Sequence, residues 1–155
     1  MKALFFGSFD PFTIGHYSLL KQAEKLFDSN VIVAIVKNPK KPKRRFSIES
    51  CKRAIESITD CKVIYTDDVL PIFIAVDYGC EYIVRGLRNT NDYIYEEAIA
   101  LSEAEINDWI KTIYLRTNNN VSSTLVYELY KQGEDVKRFL PYGLERLQRN
   151  DETTF

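Results

Sequence analysis

Short apolar runs alternate with segments of helical period along this chain, and the alternation predicts its elements. Residues 2–6 read as a strand and 15–27 as a helix. Asn30–Val36 is a second strand, almost wholly apolar, as a strand covered on both faces of a parallel sheet must be. Ser47, with Glu49 in the first turn, opens a helix to about Thr59. Lys62–Tyr65 is a short strand, and Leu70–Tyr78 a helix closed by Gly79. Glu81–Val84 is a strand running into the turn Arg85-Gly86-Leu87-Arg88. A long acidic helix covers Asn91 to about Asp108, and Thr112–Leu115 is the fifth strand. Ser122 or Ser123 caps a helix to Gln132, Pro141 begins a final short helix, and Asp151–Phe155 is a frayed tail. The expectation is α/β: one doubly wound domain over residues 1–155, with a five-stranded parallel sheet and helices on both faces.

Composition narrows the function classes. The chain has 155 residues with 45% hydrophobic and 13% aromatic content, which suits one globular core. A net charge of −1 removes any chain-wide case for nucleic acid or an anionic membrane. Cys51, Cys61 and Cys80 are odd in number and lack metal-ligand or redox spacing, as in a reduced cytosolic protein. The N-terminal apolar run is too short for a signal peptide and no stretch approaches a membrane span, so a cytoplasmic location is expected.

Ligands of a doubly wound sheet bind beyond the carboxyl ends of its strands. The chemically unusual residues lie there. Gly7-Ser8-Phe9-Asp10-Pro11-Phe12-Thr13-Ile14-Gly15-His16 follows the first strand and ends on the chain's only histidine. A helix start binds anions through its free N–H groups, although Asp10 or Thr13 acting as a plain cap would explain the loop as well. Lys37-Asn38-Pro39-Lys40-Lys41-Pro42-Lys43-Arg44-Arg45 follows the second strand, and composition alone equally allows a solvated loop. Arg85 and Arg88 flank the fourth strand's turn, where guanidinium groups suit phosphate oxygens better than surface ion pairs. Ser122, Ser123 and Thr124 start a helix and could be a cap, an anion site, or both. The carboxylates of the long helix suggest a solvated or subunit-facing surface, and no protein metal site is expected.

The string GSFDPFTIGH resembles the GxFDPxTxGH signature of nucleotidyltransferases that carry the (T/H)xGH motif. Arg85-Gly86-Leu87-Arg88 with Asp92-Tyr93-Ile94-Tyr95-Glu96, Val121-Ser122-Ser123-Thr124, and Gly133-Glu134-Asp135-Val136 with Phe139-Leu140-Pro141 are similar to motifs of the phosphopantetheine adenylyltransferase family. The resemblance spans nearly the whole chain in the family's order. It implies a Rossmann-like domain transferring an adenylyl group from ATP to 4′-phosphopantetheine, giving dephospho-coenzyme A and pyrophosphate. It further implies Mg²⁺ held mainly by ATP phosphates, a homo-oligomer (commonly a hexamer), and coenzyme A as a feedback ligand.

The same resemblance implies residue roles. His16, Lys41 and Arg88 are the expected catalytic set, with Lys40 able to substitute for Lys41 and with Lys43, Arg44 and Arg45 at the surface. Ser8, Lys41, Leu70, Pro71 and Arg85 are expected at the acceptor. Ser8, Phe9, His16, Gly86, Leu87, Arg88, Glu96, Asn118, Val121, Ser122, Ser123 and Thr124 are expected at ATP. Two departures concern the substrates: Glu103-Ala104 stands where the family carries Asn-Arg, and the loop Arg116–Asn120 is short. A different acceptor, CTP as donor, or a non-catalytic nucleotide-binding protein on the same fold remain the alternatives.

Overall fold

In the computed structural model, which describes residues 1–41, 43–67, 70–119 and 121–150, the first strand is the centre of the sheet. β1 (Ala3–Gly7) pairs in parallel with β2 (Val31–Val36) on one side and β4 (Tyr82–Leu87) on the other. β3 (Lys62–Thr66) and β5 (Lys111–Arg116) complete the order β3-β2-β1-β4-β5. Strand order reverses between β1 and β4, so the carboxyl ends of these two strands open a crevice. The expectation for residues 151–155, and for Asn120 within the short loop, falls outside the described residues.

Side-chain alternation along each strand builds two cores. Phe5, Val33, Ile35 and Val84 face α1 (Ile14–Leu26), α2 (Ile48–Glu56) and α5 (Ser123–Lys131). Leu4, Ile32, Ala34 and Ile83 face the opposite way, onto α3 (Pro71–Asp77). Arg85 lies two residues beyond Ile83 and so projects from the same face, toward α4 (Thr90–Ile106). Each fully buried aliphatic chain contributes about 1.5–3 kcal/mol, so this interleaving is what holds the strand ends in register.

Two sequence expectations need correction. Arg85, Gly86 and Leu87 do not form a turn: they continue β4, opposite Tyr114, Leu115 and Arg116 of β5. A charged residue can extend a buried strand here because α4 supplies carboxylates for it. Nor does a helix begin at Pro141; short 3₁₀ turns at Lys137–Phe139 and Leu144–Arg146 flank it. The intervening Tyr142 hydroxyl donates to the Phe12 carbonyl at 2.6 Å, which pins this segment beneath the β1–α1 loop instead.

Candidate active site

The β1–α1 loop is shaped by packing before it is shaped by chemistry. Phe9 sits at φ 46°, a left-handed conformation costing on the order of 1–3 kcal/mol for a bulky residue. Its ring is buried against Phe5 and Phe12, with centroids at 5.4 and 5.0 Å, and this burial offsets the strain. The ring also lies over Gly7, where an added Cβ would approach it to 2.6 Å. Phe9 therefore lines the cleft floor from below. Thr13 is the N-cap of α1, and its backbone N–H donates to Nδ1 of His16 at 3.0 Å. The imidazole packs on Phe9 and Phe12, at 5.1 and 5.4 Å. Burial first, and the Arg88 charge second, lower its pKa to about 4, so His16 is neutral near pH 7.

Asp10 has a different task from a cap. Its carboxylate accepts the backbone N–H groups of Arg45 and Phe46 at 2.8 and 2.9 Å, and lies 3.7 Å from the Arg44 guanidinium. This clamp draws the basic loop over the cleft and overturns the expectation that Arg44 and Arg45 are surface residues. Arg44 donates to the Ser8 carbonyl at 2.8 Å, and Arg45 to Thr124 Oγ1 at 2.8 Å while stacking on Tyr127. Lys41 Nζ also donates to Thr124 Oγ1, at 3.0 Å. Lys40 turns away to the face of Tyr95, 4.7 Å from its centroid, which leaves Lys41 as the lysine in the cleft.

Ser122 is the N-cap of α5, its side chain accepting Leu125 N–H at 3.0 Å, and Ser123 donates to the Pro11 carbonyl at 2.8 Å. The second bond ties the α5 start to the β1–α1 loop. Two helix N-termini thus face one opening. A cleft of about 370 Å³ there is lined by Ser8, His16, Lys41, Arg85, Gly86, Arg88, Glu96, Val121 and the residues 122–124. Gly86 admits Leu19, whose Cδ1 lies 2.3 Å from where a Cβ would stand. Arg88 pairs with Asp92 Oδ2 at 3.3 Å and keeps 39% of its side chain exposed to the cleft.

Some expected residues lie elsewhere. Leu87 alternates away from the cleft, and its carbonyl accepts Thr117 N–H at 3.2 Å. Asn118 is exposed; Thr117 and Asn119 are the cleft residues of that loop. Pro71 is buried as the first residue of α3, whereas Leu70 lines a separate apolar groove along α4. Arg85 does border the cleft, but it is 2% exposed and its terminal nitrogens meet Glu96, at 2.8 Å, and Glu103. The structural work of Asp10, Arg44 and Arg45 is not legible in the sequence, because the carboxylate and its partners lie far apart along the chain. The one usable signal was an acid inside a motif that leads toward a basic loop.

A neutral imidazole, a lysine and an arginine facing two helix N-termini at a switch point make a site for a chain of phosphates. Residues 4–129 match the cytidylyltransferase-like family, which places the fold and its cleft in the nucleotidyltransferase class. Phosphopantetheine adenylyltransferase of Prochlorococcus marinus subsp. pastoris is 38% identical over 157 residues, covering 97% of this chain and 97% of that protein. The enzyme of the same name from Streptococcus agalactiae serotype Ia is 37% identical over 94% of this chain and 93% of its own. The chain belongs to the phosphopantetheine adenylyltransferase family. The fold is also shared with the lipopolysaccharide core biosynthesis protein of Thermoplasma volcanium, at a TM-score of 0.61 and 18% identity, covering 77% of this chain and 98% of that one.

Proposed function

We propose that this protein transfers an adenylyl group reversibly from ATP to 4′-phosphopantetheine, forming dephospho-coenzyme A and pyrophosphate. The observation that carries the reading is the convergence of His16, Lys41, Arg88 and residues 122–124 on one cleft. An oxygen of the acceptor phosphate attacks the α-phosphorus of ATP. The bond from that phosphorus to the oxygen bridging to the β-phosphate breaks, and its electron pair leaves with pyrophosphate. The nucleophile is already anionic, so no general base is needed; alignment and charge stabilisation remain.

In this reading neutral His16 donates from Nε2 to an α-phosphate oxygen, and Thr13 orients it. Lys41 bridges the attacking phosphate and the α-phosphate, while Ser8 and Arg85 hold the acceptor. Arg88 and the α5 start hold the β- and γ-phosphates. Glu96 lies toward the ribose. Among the described residues no group of three or more His, Cys, Asp or Glu is placed to hold a metal. The nearby carboxylates are engaged: Asp10 by the basic loop, Asp92 by Arg88, and Glu96 by Arg85. Mg²⁺ fits as a companion of ATP, held by phosphate and water oxygens, where it would neutralise phosphate charge.

Further parts of the reading are a cytoplasmic location, coenzyme A as a feedback ligand, and assembly as a homo-oligomer, a hexamer by family likeness. Ile94 and Leu101 of α4, 63% and 61% exposed, support a subunit contact there. No helix among the described residues is long and apolar enough to cross a membrane. Relatives at 35–38% identity do not favour CTP, another acceptor or a non-catalytic role. Pyrophosphate release is expected with ATP and 4′-phosphopantetheine, and little with CTP or glycerol phosphate. Tight ATP binding with no release from any pair would refute catalysis.

A further inference from the structure

Arg85 is placed as the acceptor's phosphate ligand, yet both of its terminal nitrogens already face carboxylates. Glu96 reaches one from the cleft side at 2.8 Å, and Glu103 reaches the other from the groove side. The guanidinium therefore stands in the wall between the nucleotide cleft and an apolar groove of about 370 Å³ bordered by Leu70, Tyr95, Ile99 and Ile106. Among the described residues, Arg85 Nε is buried with no hydrogen-bond partner, a donor that the two carboxylates leave unmatched. Glu103 is 3% exposed and anchored, since its Oε1 accepts the Ile72 N–H of α3 at 3.3 Å.

The local charge is unfavourable for an anionic ligand: one guanidinium is set against two carboxylates. Among the described residues, the charged groups facing Glu103 are Arg85 from β4 and Glu96 from its own helix; α3 presents only the Ile72 N–H. We propose that Glu103 determines acceptor recognition by competing with the acceptor's phosphate for Arg85, so that binding the acceptor draws a proton onto Glu103. Burial raises this carboxyl above the ordinary range and outweighs the lowering by Arg85, so of the pair it is the group ready to become neutral. Once protonated, Oε2 is a donor to the phosphate where it had been a rival, and Oε1 stays on Ile72. The inference rests on the phosphomonoester acceptor proposed above.

Titration calorimetry of the full-length protein with 4′-phosphopantetheine, in two buffers of different ionisation enthalpy, reads the proton directly. Between about pH 7 and 9 the free phosphate is largely dianionic, its second ionisation lying near 6. Wild type is expected to take up about one proton per acceptor and to lose affinity by roughly tenfold per pH unit at the alkaline end. Glu103→Gln should abolish that uptake and bind the acceptor about tenfold or more tightly than wild type near pH 9, while Glu103→Asp keeps the uptake. ATP binding reports whether each variant is folded, and the wild-type measurement stands without any variant. Uptake absent in wild type, or equal in Glu103→Gln, overturns the role of Glu103 and leaves the acceptor standing. If ATP binds but 4′-phosphopantetheine gives neither heat nor turnover with either protein, the acceptor assignment and this inference fall together.

Discussion

The Thr13 backbone N–H donates to Nδ1 of His16 at 3.0 Å, and this one bond decides which side of the imidazole is available for chemistry. A ring nitrogen that accepts an N–H carries no proton, so the proton of the neutral ring is on Nε2. The capping residue of α1 thereby sets the tautomer of the site's only imidazole. His16 is a hydrogen-bond donor whose availability does not depend on protonation near neutral pH.

His16→Ala should lower kcat by roughly 100-fold or more, as expected for removing one donor to a developing phosphoryl charge. ATP affinity should change far less, because Arg88 and the α5 start remain. Steady-state kinetics beside equilibrium ATP binding check this split. A variant within a few-fold of wild-type kcat would remove His16 from the mechanism.

The lowered pKa of His16 also has a stability consequence. Its folded value of about 4 lies below the ordinary value of 6.5, so below pH 6.5 the unfolded chain binds this proton more readily. The native state then loses stability as pH falls from about 6.5 toward 4, by at most about 3 kcal/mol, and less because His16 is only partly buried. Denaturant unfolding at a series of pH values should show this loss, and His16→Gln should flatten it. An unchanged slope in that variant would assign the effect to other groups.

Thr124 Oγ1 joins Lys41 and Arg45, at 3.0 and 2.8 Å. Thr124→Val keeps the shape but removes the shared oxygen, freeing two cations that face each other. The expected result is a rise of about 5- to 20-fold in KM, roughly 1–2 kcal/mol of binding, with Thr124→Ser close to wild type. Equal KM values for the two variants would show that the hydroxyl does not position the cations.

Asp10→Asn keeps an oxygen but loses the charge that holds Arg44 and faces two backbone donors. Stability should fall by about 1–3 kcal/mol. KM should rise as well, since the Lys41 loop hangs on this clamp. Asp10→Asn with wild-type unfolding and kinetics would count against the clamp.

Gly86→Ala tests the floor of the cleft. Its methyl would stand 2.3 Å from Leu19 Cδ1, and such overpacking costs typically about 1–3 kcal/mol. Adding Leu19→Ala should recover part of the loss, because the space it vacates is the space the methyl needs. The melting temperatures of the single and double variants decide the matter.

Several of these relationships were legible in the chain. The apolar run of β2 announced a strand buried on both faces, and the glycine-to-histidine string placed a helix start beyond β1. Arg88 and residues 122–124 followed from their positions after strands. Lys41 was legible only as one of two neighbours, because lysine spacing does not say which side chain a loop turns inward. Arg44 and Arg45 looked like solvated cations, since their partner Asp10 is more than thirty residues away. Glu103 was legible as a departure from a family pattern, but its grip on Arg85 was not.

What the sequence determined by itself is whatever local backbone geometry and hydrophobic period dictate: the order of strands and helices, the helix starts, and the placing of unusual residues after strands. These depend on neighbours within a turn or two of chain. Only the tertiary structure decided how charges were shared. The Asp10 clamp, the junction at Thr124 and the Arg85–Glu103 wall each join residues from different elements. Their partners are chosen by which strand ends the sheet order brings side by side.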